Sequence, residues 1–305
     1  MRTVEATMYR NFLVNLASTK ARYNKAVTES SSGKKINNLS DDPANAAHAL
    51  DLRSKIAQID QFSRNIDSGS KFLNTAESAL NAVTTNLYRV ITLAEEGATE
   101  VNDAAARATI AEQIDLIRDS ILDIANTQIM GVYVFSGSST DTMPYIKDPA
   151  EADPDTILYQ GNNDTIEIQA NFSVQIQTNL PGSEVFGANG MAAPPHDIFA
   201  RLANLRDALL ANDTAVITAE TGSMNDLIDQ IGAGLGRIGN FSSHMDDTKG
   251  ILTGYRTALL EQVSSLEDAN MAEALSNLTK EEVGLSANLQ VGARINQISL
   301  LNYLG

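Results

Sequence analysis

The chain has 305 residues, no cysteine, no tryptophan and a formal net charge of −16. Without cysteine there is no disulfide framework, thiol nucleophile or cysteine-ligated metal site. An acidic chain with only 5% aromatic residues is a poor nucleic-acid binder, so proteins are the expected partners. No apolar run reaches the roughly eighteen residues that a membrane span needs. The N-terminus lacks the apolar segment of a secretory signal peptide, which leaves the cytosol or export that uses an uncleaved N-terminus.

The first predicted helix covers residues 3–28. Its apolar stripe has alternating spacings of three and four, and consists of Tyr9, Phe12, Leu16, Thr19, Tyr23 and Ala26. Residues 30–42 are rich in Ser, Gly and Asn and end this helix. Asp41 or Asp42 is the expected N-cap of the next helix, with Pro43 in its first turn.

A seven-residue repeat follows, which predicts a long helix supercoiled with a neighbour. Its members are Leu52, Ile59, Ile66, Leu73, Leu80, Leu87 and Ala94. The helix is expected to end in residues 96–103. A further helix, with isoleucines at spacings of three and four from Ile110 to Ile124, is expected to stop near Met130 and Gly131.

The composition then changes to β-branched and turn-forming residues. Strands are predicted at residues 132–135, 156–160, 165–170 and 172–178, with residues 161–164 as the hairpin turn between the second and third of these. Residues 144–195 are therefore expected to form a small β-rich insertion. Helical periodicity returns at Ile198 and, after a break at residues 212–214, continues as a second seven-residue repeat. That repeat consists of Met224, Ile231, Ile238, Met245, Leu252, Leu259 and Leu266. We expect it to pack beside the repeat of residues 52–94.

The last predicted helix covers residues 271–305 and is too apolar on one face to remain bare in water. This face consists of Leu275, Leu278, Leu285 and Leu289, continuing as Val291, Ile295, Ile298 and Leu301. The first forty residues are basic and the C-terminal stretch is acidic, so the two ends are expected to pair. We expect this zipper to close on assembly with other subunits. The predicted subunit and chaperone interface consists of Tyr9, Phe12, Leu16, Tyr23, Leu275, Leu278, Leu285, Leu289, Ile295, Ile298 and Leu301.

The predicted fold is mainly α: an elongated coiled-coil rod of long antiparallel helices, with paired N- and C-terminal helices and a small inserted β-rich domain. Three regions are expected. Residues 1–40 and 270–305 form a terminal assembly region, residues 41–143 and 196–269 form the long-helix rod, and residues 144–195 form the insertion.

No active site is predicted. Residues 234–239 fit the pattern G-x-G-x-x-G, but no strand precedes them and the helical repeat continues through them. The three histidines are dispersed and lack metal-ligand spacing. We therefore expect no cofactor, no metal and no enzymatic activity.

Two motifs carry a resemblance to a known family. The runs SGKKIN at residues 32–37 and SDDPA at residues 40–44 resemble the signature of flagellin-type proteins. The run GVYVFSG at residues 131–137 and the ending ISLLNYL at residues 298–304 are similar to the hook-associated members of that superfamily. Residues 234–240 are richer in glycine than the family pattern.

The resemblance implies a structural subunit of the bacterial flagellum that joins hook to filament. It implies type III export with an uncleaved N-terminus, an export chaperone on the C-terminal helix and an extracellular final location. Expected partners are copies of the chain itself in a ring, a neighbouring hook-associated protein and flagellin; neither nucleic acid nor membrane is expected. The alternatives are a filament subunit and a secreted coiled-coil effector or translocator.

Overall fold

The computed structural model describes the backbone of residues 2–99, 103–148, 156–187 and 196–304, and within these ranges the side chains from residue 7 to residue 295. The helices of this part are α1 (Arg2–Ser32), α2 (Pro43–Gly97), α3 (Ala104–Ala125), α4 (Gly182–Val185), α5 (Ile198–Ala211), α6 (Thr214–Glu267) and α7 (Met271–Leu304). The strands are β1 (Gln128–Ile129), β2 (Val132–Tyr133), β3 (Tyr145–Lys147), β4 (Ile157–Tyr159), β5 (Glu167–Gln169) and β6 (Gln175–Gln177). The prediction of a mainly α chain with long helices is confirmed. None of the described helices combines the length and the apolar character of a membrane span.

The start of α2 follows the predicted capping. The Asp42 carboxylate accepts the backbone N–H of Asn45 at 3.1 Å, and Pro43 is the first residue of the helix. Asp42 is thus the N-cap, which satisfies one of the otherwise unpaired N–H groups of the first turn.

The chain divides into two compact units. The first contains residues 1–58 and 254–305, and its core is formed by Leu52, Ile56 and Val263 with the half-buried Leu259 and Leu266. The two long helices are adjacent here, as the paired repeats predict. The three-part domain division proposed from the sequence remains a prediction, and its boundary at residue 195 lies outside the described residues.

The second unit contains residues 59–253. Here α2 and α6 run antiparallel: Ser70 Oγ lies 3.5 Å from Met245 Sδ, and Lys249 pairs with Asp67 at 2.5 Å. The repeat positions of both helices are buried, including Leu73, Leu80 and Leu87 of α2 and Met224, Ile231, Ile238, Met245 and Leu252 of α6. The packing of the two repeats against each other is the contact that their shared period predicts.

The described residues of the second unit form three two-stranded antiparallel ladders: β1 with β2, β3 with β4, and β5 with β6. The predicted hairpin turn at residues 161–164 is wrong, because β4 pairs with β3 and β5 pairs with β6. Those residues instead bind the segment that follows β2. Asn162 Oδ1 accepts the Ser138 backbone N–H at 2.8 Å, and Asn162 Nδ2 donates to Ser138 Oγ at 2.8 Å.

The helix before the first ladder also ends earlier than predicted, at Ala125 instead of near Met130. Met130 and Gly131 have φ values of 52° and 85° and form the two-residue turn between β1 and β2. Positive φ at both central residues is the geometry that matches the twist of a tight hairpin. The isoleucine stripe therefore predicted the helix correctly. The C-terminal end of the helix is set by the β1–β2 hairpin that follows, and the spacing of the isoleucines contains no information about that hairpin.

An aromatic cluster forms the core beside these ladders. Phe135, Tyr145, Phe186 and Phe199 are all at most 2% exposed. Phe186 contacts Phe135 and Tyr145 edge-on, with ring centroids 5.1 and 5.7 Å apart. Tyr145 donates its hydroxyl to Gly187 O at 2.9 Å, which satisfies the polar end of a buried ring. This cluster ties the segment after β2 to α4 and α5.

Tyr145 of this cluster and the neighbouring Tyr159, whose ring centroids are 5.0 Å apart, predict loss of stability at alkaline pH. Burial raises the pKa of Tyr159 to about 12 and raises that of Tyr145 well above 10. Because the folded-state pKa is raised, the contribution is fully present below pH about 10, where unfolded tyrosine titrates, and is lost as the pH rises towards 12. A tyrosinate absorbance titration is expected to show these two groups ionising after the exposed tyrosines, and Tyr159→Phe should make the stability loss less steep. Simultaneous ionisation of all tyrosines in the folded protein would contradict this.

Candidate assembly surface

The terminal helices α1 and α7 pack antiparallel within a single chain. Thr19 Oγ1 accepts a hydrogen bond from Asn288 Nδ2 at 2.8 Å, and Ser30 Oγ donates to Ala274 O at 3.3 Å. The expected zipper is therefore already closed in one chain rather than only on assembly. What remains open is the outer surface of the helix pair.

The seam between the two helices consists largely of small or polar residues. On α1 it is Phe12, Leu16, Thr19, Tyr23, Ala26 and Ser30, which includes the predicted stripe except for the exposed Tyr9 and adds Ser30. On α7 it is Ala274, Leu278, Glu281, Gly284, Leu285, Asn288, Gly292 and Ile295. Small residues let the two backbones approach closely but bury little apolar surface per contact, and hydrophobic stabilisation scales with that surface.

Gly292 is the tightest point of the seam. A Cβ at this position would lie 2.4 Å from Phe12 Cζ, so the Phe12 ring covers the glycine backbone. Gly292 is not part of the predicted stripe, because that stripe consists of large apolar residues. Its spacing of seven from Leu285 and of three from Ile295 is the signal that could have identified it.

Charge also joins the two ends, as the basic and acidic composition predicts. Arg22 Nε pairs with Glu281 Oε2 at 3.1 Å. The Arg22 side chain is 56% exposed, and an exposed pair of this kind contributes only about 0.2–1 kcal/mol. This ion pair therefore adds little to the stability of the helix pair, but it favours the alignment in which Arg22 lies beside Glu281.

At the base of the pair, the turn after α1 is attached to the turn before α7. Glu267, 7% exposed, receives Lys34 Nζ at 3.1 Å and Arg53 at 2.5 Å. The backbone adds Lys35 N–H to Glu267 O at 2.7 Å and Ala269 N–H to Gly33 O at 2.8 Å. Both lysines belong to the SGKKIN run, so this motif anchors the two turns to each other.

Asp41 of the SDDPA run closes the same turn. Its carboxylate accepts the backbone N–H groups of Asn38 and Asn37 at 2.9 and 3.2 Å, and Lys25 Nζ lies 3.4 Å away. The hydrogen bond from Asn38 leads the causes that hold the pKa of Asp41 below its usual value. The contacts of Asp41 thus give this motif residue a structural role in the turn.

The predicted interface residues fall into three groups. Phe12, Leu16, Tyr23, Leu278, Leu285 and Ile295 are half-buried in the seam. Tyr9, Leu275 and Leu289 are exposed. Leu275 and Leu289 each directly follow a seam residue, at positions 274 and 288, and therefore lie beside the seam instead of in it. Ile298 and Leu301 lie outside the residues whose side chains are described.

Four exposed apolar residues define what we name the apolar flank: Leu13, Val27, Leu275 and Leu289, which are 39–54% exposed. Each directly follows a seam residue, and in an antiparallel pair such positions share one side. The other exposed residues between them that directly follow a seam residue are Ala17, Lys20, Asn24, Thr279, Glu282 and Ser286. Large aliphatic side chains repeated along one side of a helix pair are typical of a protein interface.

The comparisons with known proteins agree with this organisation. The family model described as the bacterial flagellin N-terminal helical region matches residues 5–140, and that of the C-terminal helical region matches residues 221–304. Flagellar hook-associated protein 3 of Escherichia coli K12 is 24% identical, over 98% of each chain. A Bacillus subtilis flagellin is 27% identical, over 94% of this chain and 93% of its own.

Two solved structures share the fold. A Vibrio parahaemolyticus protein, provisionally assigned as hook-associated, has a TM-score of 0.68 at 21% identity, covering 75% of this chain and all of its own. Flagellar hook associated protein-3 of Legionella pneumophila has a TM-score of 0.52 at 16% identity, covering 75% of this chain and 98% of its own. With both terminal regions matched and the long-helix fold shared, the chain belongs to the flagellin family of bacterial flagellar proteins.

Proposed function

We propose that this chain is a structural adaptor subunit that joins the hook of the bacterial flagellum to its filament. The observation that carries the proposal is the apolar flank on a helix pair whose seam is already closed. The seam faces of α1 and α7 pack against each other within one chain. The exposed side chains of the apolar flank are therefore available to contact neighbouring subunits; they are Leu13, Val27, Leu275 and Leu289. The end-to-end similarity to hook-associated protein 3 supports the junction as the location.

The partners follow from this role. Copies of the chain pack side by side in a ring, with a hook-associated protein on one side of the ring and flagellin on the other. Before assembly, an export chaperone covers the exposed apolar residues of α7, which include Leu275, Val283, Leu289 and Val291. The role assigned is structural, and the absence of catalysis and of cofactors stays a prediction.

The test is Leu289→Asp, introduced in the native flagellated host. Leu289 is 54% exposed, so the folded monomer is expected to keep its circular dichroism spectrum and its unfolding midpoint. A charge in a buried contact between subunits is strongly unfavourable unless it is paired. We expect the variant to be secreted but not incorporated. Electron microscopy should then show hooks without filaments, with filament protein shed into the medium.

Asn277→Asp is the matched control. Asn277 is exposed on α7 and directly precedes the seam residue Leu278, so it places the same charge on the same helix but on the side away from the apolar flank. The control should retain attached filaments and normal swimming. Filaments that attach normally in the Leu289→Asp strain would refute the role assigned to the flank.

A second candidate, the filament subunit, is favoured by the similarity to the Bacillus subtilis flagellin over nearly the whole of both chains. Immunogold labelling of isolated flagella separates the two roles. A junction subunit labels one band between hook and filament, whereas a filament subunit labels the whole length. A secreted effector or translocator would label neither and would bind host proteins or membranes.

A further inference from the structure

Helix α6 contains seven glycines, and six of them are in open space. They are Gly222, Gly232, Gly236, Gly239, Gly250 and Gly254, all exposed. A Cβ added at any of the six would meet no atom of another element within 4 Å. Only Gly234 is packed, with its Cβ position 3.2 Å from Leu180 and 3.4 Å from Val185. The contacts of this chain therefore do not require glycine at the other six positions.

Glycines in the other long helices are different. A Cβ on Gly69 of α2 would lie 2.7 Å from Thr178, and one on Gly97 would lie 2.4 Å from Leu209. Gly292 of α7 is covered by Phe12, as described above. In these helices glycine makes room for a neighbouring side chain. The open glycines of α6 make room for no neighbouring side chain. Their effect is therefore on the stability of the helix itself.

That effect is a weaker helix. Glycine in an exposed helix interior leaves the backbone more freedom to lose on folding, and lowers the helix-forming equilibrium roughly fivefold per residue relative to alanine. Three of the six glycines fall within residues 232–239, and two more lie at residues 250 and 254. Local openings of a native protein begin where the cooperative unit is least stable. The glycine-containing turns are the expected starting points in α6.

We infer that α6 is an unfolding segment, kept labile so that the chain can be unwound for export. The inference rests on the exported location in the proposed function, but not on the junction role. The family resemblance implies export of an unfolded or partly unfolded chain, which would require this 54-residue helix to unwind, and openings at its glycine turns let it unwind in short pieces. The packed repeat on the opposite side of α6 preserves the native state once the chain has been exported.

Hydrogen exchange measured by mass spectrometry on the purified full chain tests the lability. Residues 232–254 are expected to exchange faster than residues 59–94 of α2. Replacing all six open glycines by alanine should slow exchange in α6 by roughly fivefold for each glycine within an opening segment. Equal protection of the two helices in the natural chain would overturn the inference, as would unchanged exchange in the substituted chain.

A pulse-chase measurement of the secretion rate tests whether the low stability of α6 speeds export. The six-alanine variant is expected to leave the cell several-fold more slowly. The matched control replaces six exposed polar residues of α2 by alanine, which also raises helix propensity; they are Ser54, Ser68, Asn74, Asn81, Thr85 and Thr92. The control should be secreted at the natural rate.

Two outcomes would overturn the inference. Equal slowing in both variants would mean that overall stability limits export, not α6. Normal secretion of the six-alanine variant with failed incorporation would make the open glycines a contact surface for a neighbouring subunit. Failure of the junction role is detected separately by the Leu289→Asp experiment, because the secretion rate does not depend on where the subunit is incorporated.

Discussion

Replacing Gly137 by alanine is expected to destabilise the second unit by about 3 kcal/mol or more. Gly137 has a φ of 72°, which costs an L-residue energy by itself. In addition, a Cβ here would lie 2.1 Å from the carbonyl oxygen of Asn162. That carbonyl cannot easily move away, because Asn162 bonds the flanking residues Ser136 and Ser138. Urea unfolding followed by circular dichroism measures the loss.

Gly131→Ala is the matched control for this prediction. Gly131 has a φ of 85°, but a Cβ there would meet nothing within 4 Å. The backbone strain is similar in the two variants, so the control should lose only about 1–2 kcal/mol. Equal losses would mean that the contact with Asn162 relaxes freely. The two glycines begin and end the GVYVFSG run, so the pair of variants also assigns a separate physical role to each end of this motif.

Phe186→Ala is the second substitution with a large expected effect. The Phe186 ring is fully buried and lies 5.1 Å from Phe135, 5.7 Å from Tyr145 and 6.5 Å from Phe199 between centroids. Removing such a ring forfeits its transfer free energy and leaves a cavity, together about 3–5 kcal/mol. The lower urea midpoint should be accompanied by a loss of near-ultraviolet tyrosine dichroism, because Tyr145 loses a packing partner.

The matched control is Phe172→Ala. Phe172 is 54% exposed and makes one edge-on ring contact, with Phe62 at 5.1 Å. Its removal should cost about 1 kcal/mol, the value of one aromatic pair. A loss as large as that of Phe186 would show that the β5–β6 hairpin is a major source of stability for α2. The predicted strand at residues 172–178 included Phe172, whereas in the structure Phe172 lies exposed in the turn between β5 and β6.

The long helices were predictable because their signal is local and repeated. A period of seven maintained from Leu52 to Ala94 can be satisfied only by a helix with a neighbour, and capping by Asp42 before Pro43 determines where that helix begins. The flagellin resemblance was also accessible, since the SGKKIN and SDDPA runs are contiguous. The structural role of these runs could not be predicted from the sequence. Lys34 and Arg53 both bind Glu267, which is more than two hundred residues away along the chain.

The amino-acid sequence by itself determined the helical class, the positions of the long helices and the membership of the flagellin family, because hydrophobic period and contiguous motifs act over short distances along the chain. Tertiary structure alone decided strand pairing, the closed seam between α1 and α7, and the exposure of Leu275 and Leu289. Short strands can pair with any neighbour of similar length, and a shift of one residue moves a side chain from the seam to the flank. Such choices depend on contacts between distant segments, which no local pattern records.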